Sequence, residues 1–152
     1  MVRMRKKPSA LLIVPSLLIL VGCWSNIASE HSSGHIRAVN TSCSTYRATY
    51  PERGYPTKLS QLGPPDSGSH PDAEHSGMVD GVLASGSKSG YIITYIHGPV
   101  DNKGRVKSYQ VTERPQRFGE NGTISFYSDE SGVIHFTKED RVPTVEDPEL
   151  KK

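Results

Sequence analysis

Apolar positions between Ile27 and Tyr50 recur at steps of three and four. Ile36, Val39, Cys43, Tyr46 and Tyr50 share one face, with Ser, Thr, Arg and Asn between them. This is the pattern of an amphipathic helix whose stripe needs a sheet or a second helix to cover it. Gly34 weakens its first half, and Pro51 and Gly54 end it. Turn chemistry then takes over. Tyr55-Pro56 and Gly63-Pro64-Pro65 force extended or turned backbone, with a short helical turn predicted over Thr57 to Leu62, anchored by Leu59 and Leu62. Asp66 to Gly77 has almost no apolar content and reads as an exposed, mobile loop. Met78, Val79, Val82 and Leu83 return to helical spacing, so a short second helix is expected over Gly77 to Ser85, stopped by Gly86.

The period then changes to that of strands. Tyr91 to His97 is rich in β-branched and aromatic residues and apolar on both faces, which predicts a strand at least partly covered on each side. Asp101-Asn102-Lys103-Gly104 is a turn sequence, and Arg105 to Thr112 alternates, with Tyr109 and Val111 on one face. Pro115 to Gly122 reads as a loop. Thr123 to Tyr127 and Gly132 to Thr137 form a second hairpin around Ser128 to Ser131, with Ile124 and Phe126 on one side and Ile134 and Phe136 alternating likewise. Lys138 to Lys152 is charged, holds two prolines and is expected to be a loose tail. One helix, an irregular stretch and a run of hairpin-linked strands predict an α+β fold: an N-terminal amphipathic helix packed on a four-stranded antiparallel sheet.

The N-terminus carries a different signal. Arg3, Arg5, Lys6 and Lys7 precede an apolar run from Ala10 to Val21, interrupted by Pro15 and Ser16, and no acid occurs before Glu30. About a dozen apolar residues fall short of the roughly 20 that span a bilayer as a helix, so the run reads as the hydrophobic part of a secretory signal. It ends in Leu20-Val21-Gly22-Cys23, which resembles the lipobox of bacterial lipoproteins. The resemblance implies cleavage between Gly22 and Cys23, acylation of the Cys23 thiol with fatty acids such as palmitate, and attachment to a cell membrane or outer membrane, facing the periplasm or the exterior. Trp24, where an aspartate would stand, does not favour retention at the inner membrane under the usual rule for such proteins.

Cleavage there divides the chain into a signal peptide (1–22), a tether (23–32), a domain (33–137) and the charged tail (138–152). It also changes the charge. The whole chain has 18 basic and 16 acidic residues; without Arg3, Arg5, Lys6 and Lys7, 14 basic residues remain and the net charge becomes −2. A basic face for nucleic acid is therefore not expected. With Cys23 acylated, Cys43 is left alone. A bond between the two is ruled out on a helix, where twenty residues separate them by about 30 Å. Cys43 reads as a small buried apolar residue.

The domain also bears a family likeness. Ser33 to Pro51 resembles the second half of the long N-terminal helix of type IV pilin-like proteins of the kind common in Acidobacteria. Tyr55-Pro56, Leu59, Leu62-Gly63-Pro64, Leu83 to Tyr91 and Phe126-Tyr-Ser-Asp-Glu-Ser-Gly-Val-Ile-His-Phe136 are similar to the same group. The resemblance implies a helix on a four-stranded antiparallel sheet. The chain departs from pilins at the start: there is no Gly-Phe processing site, no glutamate five residues into the helix, and the lipobox-like sequence stands where the polymerising stalk would begin.

Catalytic and metal motifs are scarce. His31 and His35, with Glu30 nearby, have the spacing of two ligands on one helix face, but no third or fourth ligand accompanies them. His70, His75, Asp72 and Glu74 fall in the predicted loop and read as solvated. There is no Gly-x-Ser-x-Gly elbow; Lys88 beside serines does not make a dyad; Asp129 and Glu130 are adjacent in a turn and diverge. Asn40-Thr-Ser and Asn121-Gly-Thr match the glycosylation pattern incidentally, and Gly81 to Gly90 lacks phosphate-loop spacing. The seven tyrosines read chiefly as helix–sheet packing with hydroxyls at the rim. The expectation is a non-enzymatic lipoprotein with no catalytic residue, cofactor or metal, its site residues being Gly22 and Cys23, and its partners a membrane and an envelope protein. The alternatives are a minor pilin or pseudopilin of a pilus or secretion machine, and a periplasmic enzyme, which would need a cleft joining His97, His135 and an acid.

Overall fold

In this computed structural model the described residues are 22–151, with side chains described from Ser33 onwards. Residues 1–21 of the expected signal sequence, Leu20 and Val21 among them, lie outside these. The first element, α1 (Gly22–Thr49), is a helix of 28 residues. It begins before the expected Ile27, passes through Gly34 unbroken and includes the stretch expected as a tether. The chain leaves it through Tyr50, whose N–H caps Tyr46 O, and Gly54, whose N–H returns to Tyr50 O. A 3-10 turn follows at Leu59–Leu62, then α2 (Gly81–Ala84). The second helix starts at Gly81 where Gly77 was expected, because Asp80 caps it: its Oδ1 accepts from the Val82 and Leu83 N–H groups.

The strands are β1 (Ser87–Lys88), β2 (Tyr91–His97), β3 (Tyr109–Pro115), β4 (Ser125–Asp129) and β5 (Ile134–Thr137). They pair in chain order, every pair antiparallel. The fold is α+β, and the sheet has five strands where four were expected. The extra strand is two residues long, too short to show a period. It is made by a tight hairpin in which Ser89 and Gly90 both take positive φ, 52° and 81°.

β3 also starts four residues later than the alternation suggested. Arg105 to Ser108 is drawn away from the sheet because Val106 bridges to both Gly54 and Val100. Asp101 fixes this excursion: its carboxylate accepts from the N–H groups of Lys103 and Arg105 and pairs with the Arg105 guanidinium. Those donors, the Arg105 N–H foremost, hold its carboxyl down at about 2. Gly54 is forced by this arrangement. It sits at φ +76°, and a Cβ there would lie 2.2 Å from Val106 O. Gly54→Ala is expected to cost about 2 kcal/mol in urea unfolding, through both backbone strain and the clash; an unchanged midpoint would overturn that account.

The α1 stripe covers one face of the sheet. Ile36, Val39, Cys43 and Tyr46 pack with Leu59, Leu62, Leu83, Ile93, Val111, Phe126 and Ile134. Cys43 is a buried free thiol, its pKa pushed up to about 12 by burial. A polar thread crosses this core: Tyr109 Oη donates to Asn40 Oδ1 (3.0 Å), and Asn40 Nδ2 donates to Ser128 Oγ (2.8 Å). Asn40 is thereby buried and bonded, which removes it as a glycan acceptor.

Two segments expected to be loose are held. In the second half of the 66–77 loop, Ser76 N–H reaches Gln61 O and Gly77 N–H reaches Gly63 O. Beyond β5, residues 138–151 fold back as a strap. Phe136 N–H donates to Pro148 O, Leu150 N–H donates to Ile134 O, and Pro143 is fully buried. The expected loose tail is thus corrected. One of its charges turns inward: Asp147 is buried and takes Arg141 and the Thr144 N–H.

Candidate binding groove on the outer sheet face

Strand alternation sends Tyr91, Ile93 and Tyr95 of β2 towards α1, and Ile92, Thr94 and Ile96 outward. On β3, Gln110, Thr112 and Arg114 face outward beside them, in register with Ile96, Thr94 and Ile92. Tyr127 of β4 lies opposite Thr112 and continues the same surface. The strap covers the β4–β5 side of this face, which explains why β4 is buried along both faces from Ser125 to Ser128. The uncovered remainder is a groove of about 950 Å³, floored by the outward residues of β2 and β3 and walled by Gln116 to Phe118 on one side and Val142 to Val145 on the other.

The groove's chemistry is mild. Ile92, Ile96, Val142 and Val145 supply exposed apolar surface. The charges on its rim are paired: Arg114 with Asp140 at 3.0 Å and Arg117 with Glu120 at 2.8 Å. Thr94, Thr112 and Gln110 add neutral hydrogen-bonding groups. The lining contains no histidine or cysteine. Its volume falls at the upper end of the roughly 300–1,000 Å³ typical of ligand clefts.

His97 and His135 are not brought together. His97 is at the exposed end of β2, where Nδ1 donates to Gly98 O, in a small hollow that also includes Asp129 and Glu130. His135 is buried on β5, with Nδ1 donating to Asp147 O at 2.7 Å. His70 and His75 stay on the exposed loop, where Asp72 Oδ1 accepts from the N–H groups of Glu74 and His75. Among the described residues no group of three or more His, Cys, Asp or Glu side chains is placed to hold a metal ion. The side chains of Glu30 and His31 lie outside the described ones. Their expected companion His35 turns into the protein, with Nδ1 2.9 Å from Glu113 Oε1.

Glu113 is the buried ionisable residue the sequence pattern did not announce. It lies in the middle of the sheet on β3, fully buried and facing α1. Burial pushes its carboxyl up to about 9, and the Ile36 backbone N–H offsets only part of this. His35 Nδ1 lies 2.9 Å from this carboxyl, which, raised to about 9, keeps a proton in the pair at neutral pH. The signal was present: Glu113 continues the face that Tyr109 and Val111 define.

Gly22 and Cys23 are placed at the start of α1 as backbone, with no side-chain surroundings described. Among the described residues no helix is long and apolar enough to cross a membrane. Comparison with protein-family models, with curated proteins and with solved structures finds no match to this chain. The described residues form an α+β domain with one long helix, a five-stranded antiparallel sheet and an open groove on the helix-free face.

Proposed function

We propose that the chain is a lipid-anchored cell-envelope protein with a pilin-like head, held to the membrane through acylated Cys23 and acting by binding rather than catalysis. The observation that carries the binding role is the groove. It is large and partly apolar, its charges are neutralised in pairs, and its lining offers no nucleophile beside a base. Such a surface suits a neutral, partly apolar segment of an envelope protein. The lipid anchor rests on Leu20 to Cys23, and the pilin-like assignment on the residues that resemble that family. In this reading no cofactor or metal is needed, and nucleic acid is not a partner.

A second reading has one observation in its favour. α1 runs without a break from Gly22 through Cys23 into the domain, which is how a pilin subunit joins its head to its stalk. A minor pilin would keep residues 10–22. One experiment separates the two. In cells given a clickable fatty acid, the wild type is expected to be labelled and Cys23→Ala to lose all label, with intact mass giving a start at acylated Cys23. Label that survives the substitution, or a mature chain that keeps residues 10–22, would overturn the lipoprotein assignment.

A further inference from the structure

Where α1 ends, three cations surround one hollow. Arg47 comes from the last turn of the helix; Arg105 and Lys107 come from the excursion before β3; Pro51, Gly54 and Val106 complete the lining. The hollow measures about 210 Å³, and no acid lines it. Gly54 lets the two backbone segments of its lining close against each other, since a Cβ there would meet Val106 O.

The cations differ in how far they are compensated. Arg105 is spent on Asp101 at 2.8 Å. Arg47 and Lys107 have no carboxylate partner among the described residues. Arg47 is nonetheless fixed: its Nη1 donates to Tyr55 Oη at 3.1 Å, and its guanidinium lies 5.2 Å from the centre of the Tyr55 ring. A cation held by an aromatic ring and a hydroxyl keeps its charge available, because neither neutralises it. Helix C-termini attract cations through the macrodipole. Here the exit turn bonds Tyr50 N–H to Tyr46 O, and Arg53 N–H and Gly54 N–H both to Tyr50 O. No acid lining the hollow cancels Arg47 and Lys107, in a protein whose sequence beyond residue 22 is net acidic.

We infer that this hollow is an anion site for a phosphate group, taken up between the Arg47 guanidinium and the Lys107 ammonium. Arg47 offers a rigid fork suited to two oxygens of the phosphate and Lys107 a mobile point charge. The site would accept a soluble phosphate ester or the phosphate of a lipid headgroup.

The test is a titration of the full chain with inorganic phosphate at constant ionic strength, followed by amide and arginine side-chain NMR signals. Saturable shifts are expected at Arg47, Gly54, Val106 and Lys107. Lys107→Ala, at an exposed position, should leave the rest of the spectrum unchanged and weaken phosphate about tenfold, the effect of one charge-assisted hydrogen bond. Arg47→Gln should do the same. Shifts that never saturate, that scatter over the surface, or that persist unweakened in both variants would overturn the site. Phosphatidylglycerol vesicles that reproduce the Lys107-dependent shifts assign the phosphate to a lipid; vesicles that fail while inorganic phosphate still saturates assign it to a soluble anion.

Discussion

Glu113→Gln is expected to stabilise the protein at pH 8 and to flatten its pH dependence above neutrality. The sign follows from the direction of the shift. The Glu113 carboxyl has an ordinary value near 4.5 in the unfolded chain and is raised to about 9 by burial in the fold. Between those values the folded protein holds a proton that the unfolded chain has released. Stability from this group is therefore fully present below pH 4.5 and is lost as pH rises through about 9. The slope approaches about 1.4 kcal/mol per pH unit. It is best read from pH 7 to 9, where the unfolded histidine is already neutral, and there it amounts to about 2–3 kcal/mol. Glutamine keeps the shape and a partner for His35 while removing the titration. Urea midpoints at pH 7, 8 and 9 should fall steadily for the wild type and stay level for Glu113→Gln. A wild type with no slope over this range would show that Glu113 is ionised in the fold beside a neutral His35, so that the pair holds no proton the unfolded chain lacks.

The second large effect is expected at Asp147. This residue is 8% exposed, yet its carboxylate is fully occupied: Arg141 donates to both oxygens and the Thr144 N–H donates at 2.8 Å. Those donors, Arg141 first, hold its carboxyl down at about 2. Asp147→Ala removes the knot of the strap, leaving Arg141 with only Glu139 and the Val142 carbonyl and the Thr144 N–H without its acceptor, at a cost of about 3 kcal/mol. The strap should then become the preferred site of limited proteolysis between 140 and 147, with loss of one groove wall. Acid should loosen the wild-type strap by the same route: a depressed carboxyl contributes stability above its ordinary value of 3.8, and that contribution disappears as pH falls through about 2. A variant with wild-type stability and an uncut strap would show that Pro143 and Leu150 seat the segment unaided.

These two residues mark where sequence patterning stops being readable. Ile36, Val39, Cys43 and Tyr46 were visible as a stripe because helix burial follows a period that the sequence displays, and Tyr91 to His97 stood out for its β-branched and aromatic content. The strap did not stand out, because its order comes from Arg141 and Asp147 meeting each other, and a charged pair reads the same whether it faces water or closes a loop. β1 escaped for want of length. Glu113 lay on a visible face, but its charge argued against the core position that its parity assigned. The groove is a product of the strap: without residues 142–145 over the outer face there is only a flat sheet, so no local motif encodes it.

The α1 stripe also sets a timetable. Its polar anchors lie far downstream: His35 meets Glu113 78 residues later in the chain, and Asn40 meets Ser128 88 residues later. At ordinary synthesis speeds of about 5–20 residues per second, Asn40 waits roughly 4–18 s for its partner. During that interval Ile36, Val39, Cys43 and Tyr46 have no sheet to cover them. The nascent chain is held open by its own topology, a state that a translocation machine can thread and a chaperone can grip.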